Sequence, residues 1–270
     1  MAVKSKEIAE YLSAPHKGPV VYIEDVNDIS RADNNEMSFY IGTNLDELES
    51  SAGVIICSEG VAPPEGMTTI QHSDPQFAFL KAVKQYFKQS PNQTKIHSSA
   101  VVESGAEIGE QCLIGPNVYI GSTVEIGDQC RIGAGTTIGG DPVGIVEGDD
   151  YEMYRHKYRG GVEVGNQVEI GQNCCINRSV FNNTIIGEEC ILDDQIHVGH
   201  RVNIKPRVWI SCNVTLGGRV TIEEGARINP AAAIGQYVNI GEGATVGMNS
   251  TVLDDVPAEA KVVGTPASRV

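Results

Sequence analysis

From Ile96 onward an aliphatic residue returns at every sixth position: Ile96, Val102, Ile108, Ile114, Ile120, Ile126, Ile132 and Ile138. The series breaks, resumes at Val164, Ile170 and Ile176, slips by four residues, and runs unbroken from Ile186 to Val252. Neither a 3.6-residue helix nor a two-residue strand alternation gives a period of six. The residue after the aliphatic is often Gly, as at Gly109, Gly121, Gly199 and Gly217, and the residue four on is small or β-branched, as at Cys112, Val118, Val168, Cys174 and Val202. Each hexad therefore reads as a short strand, a turn and a second inward residue: one flat face of a three-sided coil. Three hexads, 18 residues, close one turn, and successive turns stack at the strand spacing of about 4.8 Å. The pattern predicts a mainly β chain whose main body is a parallel β-helix over 96–257.

Residues 1–90 lack this period and predict a small α/β domain. KEIAEYL reads as a helix, VVYIEDV, MSFYIG and AGVIICSE as strands, and DPQFAFLKAVKQYF as an amphipathic helix capped by Asp74. SPNQTK, 90–95, reads as the linker. Residues 139–161 interrupt the hexads and predict a loop ejected at a corner of the coil. It gathers Tyr151, Tyr154 and Tyr158 with Arg155, His156, Lys157 and Arg159, and loops of that length are usually functional or disordered. A solvated flap is one reading; a lid over an anionic ligand is the other. After Val252 the period ends, and 258–270 reads as a tail with turns at Gly264 and Pro266.

Composition sharpens this picture. Glycine, at 30 of 270 residues, exceeds its usual share of about 7%, while aromatics are only 6%, as expected of a core of branched aliphatics with many corners. A net charge of −15 repels phosphate backbones and anionic lipid surfaces, which argues against nucleic acid and membranes as main partners. No apolar stretch reaches a membrane span and the N-terminal residues lack a signal-peptide core, so a cytoplasmic location without membrane insertion is expected. The seven cysteines show no CxxC spacing, which argues against a disulfide framework or a zinc site. Four of them (112, 130, 174 and 190) fall on inward positions, where they read as small, weakly reactive core residues.

Candidate chemistry lies in ILDDQIHVGHRVNI. Leu192 and Val198 take inward positions, which turns His197 and His200 outward with Asp193 and Asp194 close in sequence. Together they can make a base and an orienter, and a neutral imidazole suits taking a proton from an attacking amine. One coil of 18 residues beyond His200 lies Gly218, where a bare backbone N–H could steady an oxyanion; a plain corner glycine is the alternative. Arg178, Arg201, Lys205 and Arg207 are candidate partners for phosphates. The histidines give only one H-x-x-H pair, the rest being scattered, so no metal site is expected.

In its hexads, its MSF and AGVIICSE strands, its GGDPVG loop opening and its GGVEVGNQVEIGQNCCINRSVFNNTIIGEECILDDQIHVGHRVNI stretch, the chain resembles the LpxD-like hexapeptide-repeat acyltransferases. The resemblance implies a left-handed β-helix, assembly as a homotrimer with clefts between neighbours, and His200 and Gly218 as catalytic base and oxyanion glycine. It carries over Phe39 as a nucleobase contact, with Asn44 as a substitute for an absent Asn-Pro-Lys-Tyr stretch, and Arg178 as a match to a family arginine. Asp194 and His197 stand where the lipid A enzyme has Asn and Gln. Phe39, Asn44, Asp193, Asp194, His197, Arg178, Arg155 and Tyr158 are thus expected to bind substrate, and Lys205, Arg207 and Gly235 the cofactor. The VVGTPASRV tail is similar to the Gly-x-Pro-Ala ending of acetyltransferases that use coenzyme A. The resulting expectation is transfer of a short acyl group from acyl-CoA to the amine of a nucleotide-linked amino sugar. The alternatives are UDP-3-O-acylglucosamine N-acylation in lipid A synthesis from acyl carrier protein, and a prism that binds a nucleotide sugar without catalysis.

Overall fold

The computed structural model describes residues 2–45, 48–63, 65–87, 91, 93–143, 145–147 and 152–269, with the backbone alone at 145–147, 153–155 and 267. The chain forms two compact units, Met1–Gln89 and Ser90–Val270.

In the first unit a five-stranded sheet runs in the order His16–Lys17, Thr69–Gln71, Val54–Cys57, Glu36–Tyr40, Asp25–Val26, parallel except for its first pair. Helices Ser5–Leu12 and Pro75–Tyr86 bury Ile8, Ala9, Ala78 and Ala82 together with the sheet residues Met37, Val54, Ile56 and Ile70. Asp74 caps the second helix, its carboxylate accepting from the Phe77 N–H at 3.0 Å, as the sequence predicts. The expected strand at 20–26 is instead two: Tyr22–Ile23 pairs with Val3–Lys4, and Asp25–Val26 joins the main sheet. The strands His16–Lys17 and Thr69–Gln71 are too short to show an alternation.

The second unit is the predicted prism. Its three faces are parallel sheets of seven, ten and eight strands, the ten-stranded one ending in an antiparallel hairpin. The hexad aliphatics stack in register, as in Ile114↔Ile132, Leu192↔Ile210 and Ile210↔Ile228. With the small fourth-position residues they form one continuous buried core, each large aliphatic contributing about 1.5–3 kcal/mol by leaving water. The first coil is the exception, with Ile96 on the outermost strand of its sheet 47% exposed and Val102 and Ile108 only partly buried. The four predicted inward cysteines are buried, and burial pushes the thiols of Cys174 and Cys190 up, the latter to about 11.

Two corner devices recur. The second turn residue adopts the left-handed conformation, as at Gln195 (φ 60°), Arg201 (58°), Asn213 (59°), Arg219 (64°) and Tyr237 (64°), costing roughly 1–2 kcal/mol for a residue with a Cβ. At the first turn residue, an Asp or Asn accepts from the N–H one coil earlier: Asp128 from Glu110 at 2.7 Å, Asn166 from Asp128 at 2.8 Å, Asp194 from Gln172 at 2.6 Å.

The ejected loop leaves the ladder intact, since Ile126 pairs directly with Val164. Within the loop, Ile145–Glu147 and Met153–Arg155 make a small hairpin. Its return is pinned to the four-residue slip, with the Arg159 N–H donating to the Val180 carbonyl at 2.8 Å and the Gly160 N–H to that of Ser179 at 3.1 Å. The tail expectation is corrected. Lys261–Gly264 pairs in parallel with Thr245–Val246, and Ala267–Arg269 folds back on it, so the prism continues beyond 257. Val256, Ala260 and Val262 fill its core. This last coil is two residues short, since Thr245 pairs with Lys261, and a strict six-residue count therefore loses it. Among the described residues no helix is long and apolar enough to cross a membrane.

Candidate active site

The site is built at one corner of the prism. Strand His197–Val198 lies parallel to Cys175–Asn177, with Cys175 opposite His197 and Ile176 opposite Val198. Ile176 and Val198 are fully buried, and alternation along a strand turns Cys175 and His197 outward on the same face. The chain then turns at Gly199 and His200 toward Asn203–Ile204. One coil on, the same corner is occupied by Gly218.

Three other turns place a capping Asp or Asn at the first turn residue; here there is no side chain. A Cβ on Gly218 would lie 2.7 Å from Nδ1 and 2.9 Å from Nε2 of His200, and against its Cε1. The imidazole therefore lies over the bare face of the glycine, as the 18-residue spacing predicts. The Gly218 carbonyl accepts from the Tyr237 N–H at 3.1 Å and the His200 carbonyl from the Arg219 N–H at 2.9 Å. Among the described residues neither the His200 nor the Gly218 N–H donates to a protein acceptor.

The corner opens into a cleft of about 970 Å³. Asp141, Pro142 and Val143 wall it where the ejected loop leaves, His156 and Tyr158 where it returns, and Phe181 from the slip. Arg219 and Tyr237, from the next two coils, close the other side, the guanidinium 5.1 Å above the Tyr237 ring and donating to its hydroxyl at 3.2 Å. Beyond them a polar hollow of about 500 Å³ holds Arg201, Arg219, Asn183 and Asn203.

Burial, then the positive charges of Arg219 and His156, hold the His200 imidazolium below the usual histidine value of 6.5. The ring is thus a neutral base at neutral pH. His197 is shifted the other way, chiefly by a hydrogen bond with Cys175, and that bond in turn draws the Cys175 thiol below its usual value.

Several other expected site residues lie elsewhere. Asp193 and Asp194 face a separate groove on the neighbouring side of the prism, beside Ile191 and Trp209. Asp194 caps the Gln172 N–H, and Asp193 accepts from the Asp194 N–H. They occupy the corner before the His197 strand rather than the one after it, so neither orients His200; that reading is corrected. Arg178 pairs through Nε with Asp141 Oδ1 at 2.5 Å, at the edge of the cleft. Arg207 is salt-bridged to Glu224 one coil on, which makes it a corner strut, and Lys205 accepts with its carbonyl from the buried Cys190 thiol. Gly235 donates its N–H to Val252 within the ladder. Phe39 is half-buried against Phe79 in the first unit, ring centroids 5.0 Å apart, and Asn44 is exposed there. The Arg155 side chain and Tyr151 lie outside the described residues. The hexad pattern by itself does not point to Arg219, Tyr237 or Cys175. The first two follow from stepping 18 residues from Arg201, the third from stepping back across the slip from His197.

Residues 105–140 match the family described as Bacterial transferase hexapeptide (six repeats). The chain is 26% identical over 220 residues to a UDP-3-O-acylglucosamine N-acyltransferase of Neisseria meningitidis serogroup B, a match over 67% of this chain and 63% of the relative. A protein of the same name from Campylobacter curvus is 29% identical over 120 residues, 42% of this chain and 38% of the relative. The chain thus spans less than two thirds of the length of these relatives. Among solved structures, UDP-N-acetylglucosamine acyltransferase from Campylobacter jejuni superimposes with a TM-score of 0.51 at 27% identity, over 65% of this chain and 74% of that one.

Proposed function

For a hexapeptide-repeat protein with the left-handed β-helix fold, we propose the activity of an N-acyltransferase. It moves a short acyl group from acyl-CoA to the amine of a nucleotide-linked amino sugar. The observation that carries this reading is the His200 imidazole lying on the bare face of Gly218 inside a cleft. The sugar amine attacks the thioester carbonyl and His200 takes its proton; the C–N bond forms, the C–S bond breaks, and the departing thiolate receives the proton back. The Gly218 N–H, without a protein acceptor among the described residues, donates to the oxyanion, an interaction that grows as charge develops.

A nucleotide-linked sugar as acceptor is supported by the names of the relatives, which act on UDP-sugars, and by the hollow at Arg201 and Arg219. Two guanidinium groups offer fork-shaped donors to a diphosphate on a chain of net charge −15. Coenzyme A as donor is supported by the Val-Val-Gly-Thr-Pro-Ala stretch, which forms the hairpin on the last coil. Homotrimeric assembly, with the cleft shared between copies, is part of this reading.

Mass spectrometry of a panel of nucleotide amino sugars incubated with acetyl-CoA, longer acyl-CoAs and acyl-loaded carrier protein tests it. Gain of a short acyl group from acyl-CoA is expected. Gain only from the carrier protein would move the assignment to the lipid A type of donor, and binding of the nucleotide sugar without any gain would leave a non-catalytic prism.

A further inference from the structure

We propose that Cys175 is a thiol-exchange site in this cleft, served by His197, which takes up low-molecular-weight disulfides and so reversibly blocks the space beside His200. The blocking clause rests on the acyl-transfer reading above; the thiol chemistry does not.

The position of the sulfur comes first. Cys175 and His197 are direct partners on adjacent parallel strands, so their outward side chains stand about 4.8 Å apart at the backbone. Both border the cleft that holds His200 and Gly218. Of the seven free cysteines, five are buried, and only Cys175 and Cys212 reach the surface. Cys212 lies at a corner outside the cleft. A half-buried thiol whose register partner on the next strand is an imidazole has a base for its proton within reach, the arrangement that makes a cysteine nucleophilic.

The groups around the sulfur pull in opposite directions: the Asn177 amide oxygen favours the protonated thiol, while His197 offers a base for the proton. Thr137 lies on the strand before Cys175, His197 on the strand after, and Asn177 on the same strand, where its Oδ1 accepts from Sγ at 3.6 Å. The charged and titratable groups elsewhere on the cleft wall are His156, Tyr158, His200, Arg219, Tyr237 and Asp141, and Asp141 is already paired with Arg178. The interaction with His197 outweighs that with Asn177, holding the thiol below and the imidazole above their usual values. Acyl transfer as described above uses neither group.

The step is a simple exchange. The Cys175 thiolate, its proton resting on His197, attacks one sulfur of a disulfide RS–SR. The Cys175–S–S–R bond forms, the original S–S bond breaks, and RS⁻ leaves, collecting the proton from His197. Excess free thiol runs the exchange backwards. While it lasts, the group R occupies part of a cleft of about 970 Å³.

The test uses the full chain with 4,4′-dithiodipyridine as probe, following thiopyridone release and locating the label by peptide mass spectrometry. At a pH where an ordinary thiol is almost wholly protonated, Cys175 should be labelled about tenfold faster than Cys212. The fast phase should vanish in Cys175→Ser, persist in Cys212→Ser, and fall to the Cys212 rate in His197→Gln, with circular dichroism confirming the fold of each. Should His197→Gln fail to fold, the comparison of the two cysteines in the unaltered protein decides. Labelling of Cys175 no faster than Cys212, or a fast phase that survives His197→Gln in a folded protein, overturns the thiol site. Labelled protein that still transfers acyl groups at full rate overturns the block alone. Absence of acyl transfer in unlabelled protein overturns the functional reading and leaves the labelling rates to decide the thiol site.

Discussion

Replacing His200 by Ala is expected to lower kcat for acyl transfer by about 10²–10⁴-fold, the usual contribution of a positioned general base. The amine of an amino sugar must lose a proton as it attacks. Among the other groups lining the cleft, Arg219 is cationic, His197 faces Cys175 on the next strand, and His156 stands on the ejected loop, so none occupies the place of the His200 ring over Gly218. Removal of the ring also takes away its contact with Gly218 but leaves the ladder untouched, since His200 contributes only its carbonyl to the neighbouring coil. The fold should therefore survive, as read by an unchanged circular dichroism spectrum. KM for the acceptor should move far less than kcat, because the loss falls on the transition state rather than on binding.

The second large effect is expected from the smallest possible change. Gly218→Ala adds one methyl group, and that methyl lands on the imidazole, within 2.7 Å of Nδ1, where something must shift. The clash is with a side chain held in a crowded corner, so the ring swings away from its place over residue 218. A displacement of about 1 Å is enough to cost about 10²-fold in rate. Steady-state kinetics should show that loss in Gly218→Ala with little change in thermal stability. In the double variant His200→Ala/Gly218→Ala the added methyl should cost far less than it does alone, since the ring it displaces is gone. Full additivity of the two losses would separate the glycine from the histidine.

The repeat explains why so much was legible beforehand. A six-residue period can be satisfied by a three-sided coil and by neither helix nor ordinary strand, so the inward columns from Val102 to Val252, the buried cysteines and the stacking of Gly218 on His200 all follow from counting. What counting missed depends on departures from the period. The last coil is two residues short and therefore hides Val256 and Val262. Cys175 and His197 are neighbours only across the four-residue slip, and Arg178 finds Asp141 across the ejected loop. Asp194 illustrates a different failure. Its nearness to His200 in sequence mimics a catalytic pair, but the two sit on successive corners, and a carboxylate at that corner position is spent on capping the coil below. Arg207 is similar: a cation read as a phosphate ligand is held by Glu224 one coil on. In a solenoid, the chemical partner of a residue is one coil away more often than it is nearby in sequence.

The most direct measurement of the central claim, a neutral imidazole at 200 acting as the base, is the pH dependence of kcat/KM for acyl transfer, calculated on the concentration of unprotonated acceptor amine so that the amine's own ionisation drops out. Protonated His200 cannot accept the amine proton, so the rate should fall on the acid side through the pKa of this ring. Burial and the charges of Arg219 and His156 hold that pKa below 6.5, and activity should accordingly persist into more acidic solution than an ordinary histidine allows. A single acid limb with its midpoint below 6.5, absent from the residual rate of His200→Ala, is the expected result. A midpoint above that value, or the same limb retained in His200→Ala, would contradict it.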